Sequence, residues 1–151
     1  KRFDGMKAAV HYGCHVLMPS KVLGVDDPDF PAFLDRIVEA TGATSVAYAE
    51  KRLCCGGALQ SINEEISLRL TGEKLIDIEK SGVNVFVTMC PFCFVSYNRN
   101  QTTASERMGR KRDIPVVHYT QLLGLALGIP PEELELGESV SDPEVILRFL
   151  R

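Results

Sequence analysis

The stretch Val83-Asn84-Val85-Phe86-Val87-Thr88-Met89-Cys90-Pro91-Phe92-Cys93 indicates the fold most clearly. Its first five residues are nearly all apolar or β-branched, which is typical of a central parallel strand buried on both faces. The strand ends before Cys90, and Pro91 suits the first turn of a following helix because that turn does not need its N–H. The sequence therefore predicts a strand-to-helix turn that carries two thiols.

Three more cysteines accompany this pair. Cys14 stands alone and Cys54 adjoins Cys55, so the spacing is Cys, thirty-nine residues, Cys-Cys, thirty-four residues, Cys-x2-Cys. A C-x2-C pair offers two sulfur ligands to one metal ion or cluster, and a distant Cys-Cys pair can supply the opposite side. Disulfide bonds are the competing interpretation, although five is an odd number and adjacent cysteines rarely bridge. Ordinary buried cysteines are a further alternative.

The rest of the chain predicts strands that alternate with helices. Apolar and β-branched runs predict strands at residues 6–11, 45–48, 83–87 and 115–118. Periodic apolar residues and capping signals predict helices at 31–41, 61–80, after Pro91, at 120–127 and after Asp142, where Pro143 takes the first helical position. A capping box of Ser61 and Glu64 begins the second helix, and Thr71-Gly72 predicts a bend or break in it. Residues 16–28 predict a long loop.

This alternation predicts an α/β fold: a four-stranded, mainly parallel sheet with flanking helices in a Rossmann-like three-layer arrangement. Ligands of such sheets bind outside the carboxyl ends of the strands. Cys14, the pair Cys54-Cys55, and Cys90 each follow a different predicted strand. We therefore expect the sulfurs to converge at one edge of a single domain that spans residues 1–151.

The cysteine pattern resembles the CCG-type cysteine-rich domains, through Gly13-Cys14, Cys54-Cys55-Gly56-Gly57 and Cys90-Pro91-Phe92-Cys93. Within that family it is similar to the C-terminal half of the B-type subunit of heterodisulfide reductases. Further stretches that match are Tyr12-Gly13-Cys14-His15, Pro19-Ser20-Lys21-Val22-Leu23-Gly24, Asp27-Pro28, Asn100-Gln101 and His118-Tyr119-Thr120-Gln121-Leu122-Leu123. The resemblance covers nearly the whole chain.

The resemblance implies that Cys14, Cys54, Cys55, Cys90 and Cys93 hold a noncubane [4Fe-4S] cluster at which a disulfide substrate is reduced. Zinc is the alternative metal, because four of the five thiols would complete its tetrahedral site. The implied activity is that of an oxidoreductase, a disulfide reductase subunit whose isolated domain is inactive. Two other functions stay open: an electron-transfer or anchoring domain of a flavin-linked lactate, glycolate or succinate dehydrogenase, and a zinc-stabilised interaction module.

The resemblance implies that this domain is excised from a longer subunit with two cysteine-rich halves. The implied partners are the N-terminal cysteine-rich half of that subunit and the ferredoxin-like iron–sulfur and flavin subunits of the complex. The net charge of -3 and pI near 5.6 argue against nucleic-acid binding. No apolar run reaches the ~20 residues of a membrane span. Because thiol-rich sites need a reducing compartment, we expect a cytoplasmic protein.

The histidines and one basic stretch are further candidates. His118 ends a predicted strand on the cysteine edge and is the candidate catalytic residue, as a proton or hydrogen-bond donor to the substrate, although a strand-end histidine is often only a satisfied polar group. His11 and His15 are interpreted as structural. The basic residues between positions 99 and 112 are interpreted as a solvated surface, with an anionic substrate group or acidic partner as the alternative; they are Arg99, Arg107, Arg110, Lys111 and Arg112.

Overall fold

The computed structural model describes residues 1–110, 113–138 and 142–151. Its sheet has the order β2-β1-β3-β4, and every pairing in it is parallel. The strands are β1 (Lys7–His11), β2 (Thr44–Ser45), β3 (Val85–Thr88) and β4 (Val116–His118). In this register His11 is level with Thr88, and Thr88 with His118, so all three mark the carboxyl edge. The predicted α/β fold is confirmed.

Helices connect and flank the strands. They are α1 (Cys14–Leu17), α2 (Ser20–Leu23), α3 (Phe33–Ala40), α4 (Glu64–Lys80), α5 (Pro91–Arg99), α6 (Gln101–Arg107), α7 (Tyr119–Leu127) and α8 (Glu144–Leu147). Short 3₁₀ turns cover Gly57–Leu59 and Leu136–Glu138. Within residues 1–110, 113–138 and 142–151, no helix combines the length and apolarity that a membrane span requires.

The sheet separates two hydrophobic cores, which gives the three layers. Because successive strand residues face opposite sides, Ala8 and Val10 pack toward α3 and α7, while Ala9 faces the other side. The first core contains Leu34 and Val38 from α3 and Leu122 and Leu125 from α7. The second core contains Leu75 and Ile78 from α4, Tyr97 from α5, and two cysteines, Cys55 and Cys93. Part of the cysteine set is thus built into the packing of the domain.

The structure corrects several local predictions. Residues 16–28 are not all loop, since they include most of α1 and the whole of α2. The second strand is shorter than predicted, because only Thr44 and Ser45 pair with β1. Helix α4 is capped by the side chain of Asn63, which accepts from the Ile66 N–H at 3.1 Å, rather than by Ser61.

Helix α4 also runs through Thr71-Gly72 without a break. The buried Thr71 hydroxyl donates to the Cys55 carbonyl at 3.0 Å. At Gly72 an added Cβ would collide with Met108 Sδ, so the missing side chain lets the segment after α6 approach α4 closely. Tertiary contacts therefore outweigh the helix-breaking tendency of this pair. The C-terminal helix begins one residue later than predicted, with Pro143 as its N-cap.

Candidate metal centre

The cysteines lie where the strand order reverses, between β1 and β3. Cys14 begins α1 just after β1, and Cys90 is the N-cap of α5 just after β3. Cys93 lies in the first turn of α5, and Cys54 and Cys55 precede the 3₁₀ turn that leads to α4. Such a switch point is where open α/β sheets bind ligands. The chain topology alone places the cysteines at this edge.

The sulfur atoms form a site with a buried floor and an open rim. Cys55 and Cys93 are buried, with their Sγ atoms 3.3 Å apart, Cys54 and Cys90 are half-buried, and Cys14 is exposed. A disulfide would need a separation of about 2.05 Å, and all five cysteines are free. The cysteine pattern is therefore not a disulfide framework.

Gly13 brings the β1–α1 turn against the C-x2-C pair. Its φ of +77° is strained for residues with a side chain, and an added Cβ would lie 2.8 Å from Cys90 Cβ and 3.6 Å from Cys93 Sγ. Only glycine therefore lets the segment that carries Cys14 approach Cys90 and Cys93 this closely.

Backbone amides donate to the sulfurs of the Cys-Cys pair. The Gly56 N–H donates to Cys54 Sγ at 3.4 Å, and the Gly57 N–H donates to Cys55 Sγ at 3.3 Å. Donors of this kind stabilise thiolates, which is the form of cysteine that binds metals. The loop is thus arranged for sulfur ligands that carry negative charge.

The pKa values of the two buried thiols, Cys55 and Cys93, are shifted in opposite directions. The pKa of Cys55 falls to about 4, mainly because the Cys93 thiol donates to it, with help from His11 and the Gly57 N–H, while burial opposes the shift. The pKa of Cys93 is raised by that same hydrogen bond and by burial. The pKa of Cys14 is also raised, by burial and by the charges of Cys54 and Cys55, so its thiol is close enough to sense both. The sulfurs form one electrostatic unit.

Two buried basic residues adjoin this unit, and their place beside it was not predicted from the sequence. The fully buried Lys74 places Nζ 3.1 Å from His11 Nδ1 and donates to the Lys51 carbonyl at 3.0 Å. A ring nitrogen of His11 and the sulfurs of Cys55 and Cys93 all lie within 4.8 Å of one another. Burial lowers the pKa of His11 to about 4 and that of Lys74 to about 7. The sequence contains one indication of this burial, because Lys74 lies between Thr71 and Ile78 on the buried face of α4.

His118 lies on the predicted edge, and both of its ring nitrogens have partners. Nε2 is 2.7 Å from the Met89 carbonyl, and Nδ1 is 2.7 Å from the Thr120 hydroxyl. The imidazole therefore ties the residue before Cys90 to the start of α7. His15 Nδ1 lies 3.7 Å from Cys14 Sγ on the exposed rim.

The basic stretch is partly neutralised by α4. Arg107 is 3.9 Å from Glu64, and Arg110 is 3.4 Å from Glu79. Arg99 ends α5, while Lys111 and Arg112 lie outside the described residues.

A cavity of about 310 Å³ opens beside the rim of the site. Cys14 and Cys54 contribute to its wall, together with Leu17 of α1 and the basic residues Lys51 and Arg52. The remaining lining residues are His11, Tyr12, Gly13, Met18, Ser20, Pro28, Asp29, Pro31 and Leu53. A small molecule in this cavity would be next to two of the five sulfurs.

One wall of the cavity is held by a network centred on Asp35. Its carboxylate accepts from the Tyr12 hydroxyl at 2.5 Å, from the Ser45 hydroxyl at 2.6 Å, and from Lys51 Nζ at 2.7 Å. The Tyr12 oxygen in turn accepts from the Leu34 N–H at 3.0 Å, which joins the network to α3. Because three side chains donate to this half-buried carboxylate, the network fixes their positions relative to α3.

The donor set fits a thiolate-ligated metal group. Four cysteine sulfurs are enough to hold an iron–sulfur cluster or a structural zinc ion. The N–H···S bonds favour thiolates, and the contact between Cys55 and Cys93 and the close approach at Gly13 bring the sulfur ligands together.

Comparison with known proteins agrees with this geometry. The family model for the cysteine-rich domain named CCG matches residues 8–98. The chain belongs to the CCG cysteine-rich domain family. The match runs from β1 to α5, and so contains all five cysteines of the site.

Relatives of this CCG domain are reductase subunits. It is 45% identical over 136 residues to the B-type subunit of a ferredoxin:CoB-CoM heterodisulfide reductase of Methanosarcina mazei, a match that covers 89% of this chain and 45% of the relative. It is 37% identical over 142 residues to an 8-methylmenaquinol:fumarate reductase membrane anchor subunit of Wolinella succinogenes, covering 94% of this chain and 50% of the relative. A protein of Archaeoglobus profundus that is named for its likeness to the B-type heterodisulfide reductase subunit is 36% identical over 151 residues, covering 97% of this chain and 50% of the relative. The chain spans about half the length of these curated relatives.

Proposed function

We propose that this CCG domain binds an iron–sulfur cluster through Cys14, Cys54, Cys55, Cys90 and Cys93 and takes part in the reductive cleavage of a disulfide. It would do so as one domain of a heterodisulfide reductase-like subunit. The observation that carries the proposal is that five free cysteines lie at one sheet edge beside a cavity, with the sulfurs of Cys55 and Cys93 3.3 Å apart. The proposed cluster is a noncubane [4Fe-4S] cluster, with zinc as the alternative occupant. When bound, the cluster supplies electrons and a metal site for a substrate sulfur.

The buried and the accessible cysteines have different roles in this proposal. Cys55 and Cys93 are part of the second hydrophobic core and anchor the group. Cys14 and Cys54 border the cavity, so a disulfide that enters it meets the accessible side of the donor set. Cleavage takes up two electrons and two protons and yields two thiols. The hydrogen-bonded wall around Asp35 would orient the substrate.

A partner domain is part of the proposal. One cluster normally passes one electron at a time, so two-electron cleavage favours a second cluster, in the N-terminal cysteine-rich half of the same subunit. A ferredoxin-like iron–sulfur subunit and a flavin subunit would deliver the electrons. Apolar side chains just after α1, on α2 and in the following loop are exposed near the cavity, as an interface would require; they are Met18, Val22, Leu23, Val25 and Phe30.

His118 is the proposed proton donor. Its place at the carboxyl edge supports this role, while its two hydrogen bonds mean that the ring must release Thr120 or Met89 in order to reach a substrate. His118→Gln should therefore slow disulfide reduction in the assembled subunit and leave its iron content unchanged. Equal rates in both proteins would exclude the role.

The second candidate function is electron transfer or anchoring without disulfide chemistry. The relative from Wolinella favours it, because that protein is a membrane anchor subunit of a fumarate reductase. In this case the cluster would be reduced and reoxidised, and the cavity would take no disulfide.

The test is to produce the domain alone and together with the N-terminal half, and to measure disulfide reduction with an artificial donor and cluster lifetime in air. We expect activity and a longer lifetime only in the joined form. Val22→Asp should weaken the joined form, whereas Leu127→Asp, equally exposed but on α7, should not. Equal activity and lifetime in the two samples would contradict the shared site, and reduction of the cluster without disulfide turnover would favour electron transfer.

A further inference from the structure

A buried pair of basic side chains, Lys74 and His11, lies against the floor of the site without a role in the function proposed above. Lys74 is fully buried and His11 is 3% exposed. Among the described residues, no salt bridge joins Lys74 to a carboxylate. Burying an amine without a counter-ion is costly, so the groups around Lys74 must stabilise it. Those neighbours are the imidazole, the Lys51 carbonyl and the site thiols.

The hydrogen-bond pattern selects one tautomer of His11. Burial lowers the pKa of Lys74, and the charges of the Cys55 and Cys93 thiolates raise it. With thiolate ligands in place the ammonium form is favoured. A lysine ammonium has donors and no acceptor, so His11 Nδ1, 3.1 Å from Lys74 Nζ, accepts from it. The neutral imidazole then carries its hydrogen on Nε2. This atom is buried and has no hydrogen-bond partner among the described residues. A buried donor left unpaired is destabilising, which points to an acceptor that the metal-bound site provides.

The site sulfurs lie close enough to His11 to act as this acceptor. The ligating atoms of His11, Cys55 and Cys93 lie within 4.8 Å of one another. A thiolate bound to a metal still accepts hydrogen bonds. The same distances would allow His11 to bind the metal directly, but a metal-bound histidine almost always donates its other N–H to a carboxylate, carbonyl or water. Here the other nitrogen faces a donor, Lys74, so the imidazole suits hydrogen bonding to sulfur better than metal ligation.

We propose that Lys74 positions His11 so that its Nε2–H donates to the Cys55 thiolate when the metal group is bound, and that this pair raises the reduction potential of the group. The second half of the inference rests on the proposed function. Hydrogen bonds to ligand sulfurs stabilise the more negative, reduced form of a cluster. Lys74 acts through His11, and His11 acts on the sulfur.

The first test is a redox titration of the iron-loaded full-length subunit. At a fixed applied potential, His11→Phe should lower the ratio of reduced to oxidised cluster by about tenfold, which is 59 mV for a one-electron couple. His11→Gln keeps an N–H donor and should restore most of the ratio. Lys74→Met should cause a smaller shift in the same direction. The matched control is Lys80→Met, an exposed lysine at the end of the same helix, which should change nothing.

The double variant separates positioning from a general structural role. Because Lys74 acts mainly through His11, adding Lys74→Met to His11→Phe should cause a clearly smaller shift than Lys74→Met causes alone. Additive shifts, or an unchanged ratio in His11→Phe at full iron content, would overturn the inference.

The second test does not depend on how the variants fold or on which metal is bound. ¹⁵N NMR of labelled histidine in the unmodified full-length subunit, loaded with zinc, should show His11 with hydrogen on Nε2 and no bond to the metal. Hydrogen on Nδ1, or direct metal coordination, would overturn the inference. Failure of the subunit to take up iron would instead contradict the proposed function, while the zinc form would still report the tautomer.

Discussion

Replacing Gly13 with alanine tests the close approach on which the geometry of the site depends. The change meets two costs: a backbone conformation with φ of +77°, and a Cβ only 2.8 Å from Cys90 Cβ. The backbone cost is about 1–3 kcal/mol, and forcing a methyl group into a packed contact costs about 1–3 kcal/mol. Since the obstacle is the Cβ of a residue that caps α5, it cannot rotate away. We expect Gly13→Ala to lower the free energy of unfolding by about 2–6 kcal/mol.

The matched control is Gly24→Ala. Gly24 has φ of +58°, and an added Cβ would have nothing within 4 Å, so the loss should be about 1–2 kcal/mol. Urea unfolding of the reduced, metal-free proteins under anaerobic conditions measures both values. Iron uptake is the second readout: Gly13→Ala should take up less iron, because Cys14 is displaced from Cys90, and Gly24→Ala should load normally. Equal losses of stability with equal iron uptake would refute the reasoning.

Three further predictions concern stability. The Asp26 carboxylate accepts from two backbone N–H groups at 2.7 Å at the start of α3, so Asp26→Ala should cost about 1 kcal/mol at pH 7. These bonds hold the pKa of Asp26 below its usual value in the folded protein. The Asp26 carboxylate therefore contributes fully to stability above about pH 4, and this contribution disappears as the pH falls through the pKa of the folded state. Urea unfolding at a series of pH values should show the loss. Asp35→Asn should lower the free energy of unfolding by about 2 kcal/mol. Its control, Asp29→Asn, removes an exposed ion pair with Arg52 and should lower it by under about 1 kcal/mol. Equal losses would contradict a stabilising network around Asp35. Iron should raise the melting temperature of the unmodified protein but not that of Cys55→Ser; identical melting of the unmodified protein with and without metal would show that the site is not structural.

The parts of the fold that local sequence determines could be predicted. The β-branched run before Cys90 becomes β3, the central strand, and turn residues mark most helix ends. Because cysteines follow three strands, the parallel topology was enough to predict that they meet at one edge.

The remaining features depend on contacts between distant residues. Gly72 stays helical because Met108 packs against it, and the second strand is short because its later residues leave β1. The burial of Lys74 beside His11 was hidden because a lysine on a helix usually reaches solvent. Only the position of α4 over the sheet brings the two residues together.

Metal analysis after anaerobic reconstitution tests the central claim, that the five cysteines hold one iron–sulfur cluster, most directly. Protein supplied with iron and sulfide in the presence of competing zinc should bind about four irons per chain and absorb visible light by sulfur-to-iron charge transfer. One tightly held zinc ion, with no iron uptake and no visible absorption, would contradict the account.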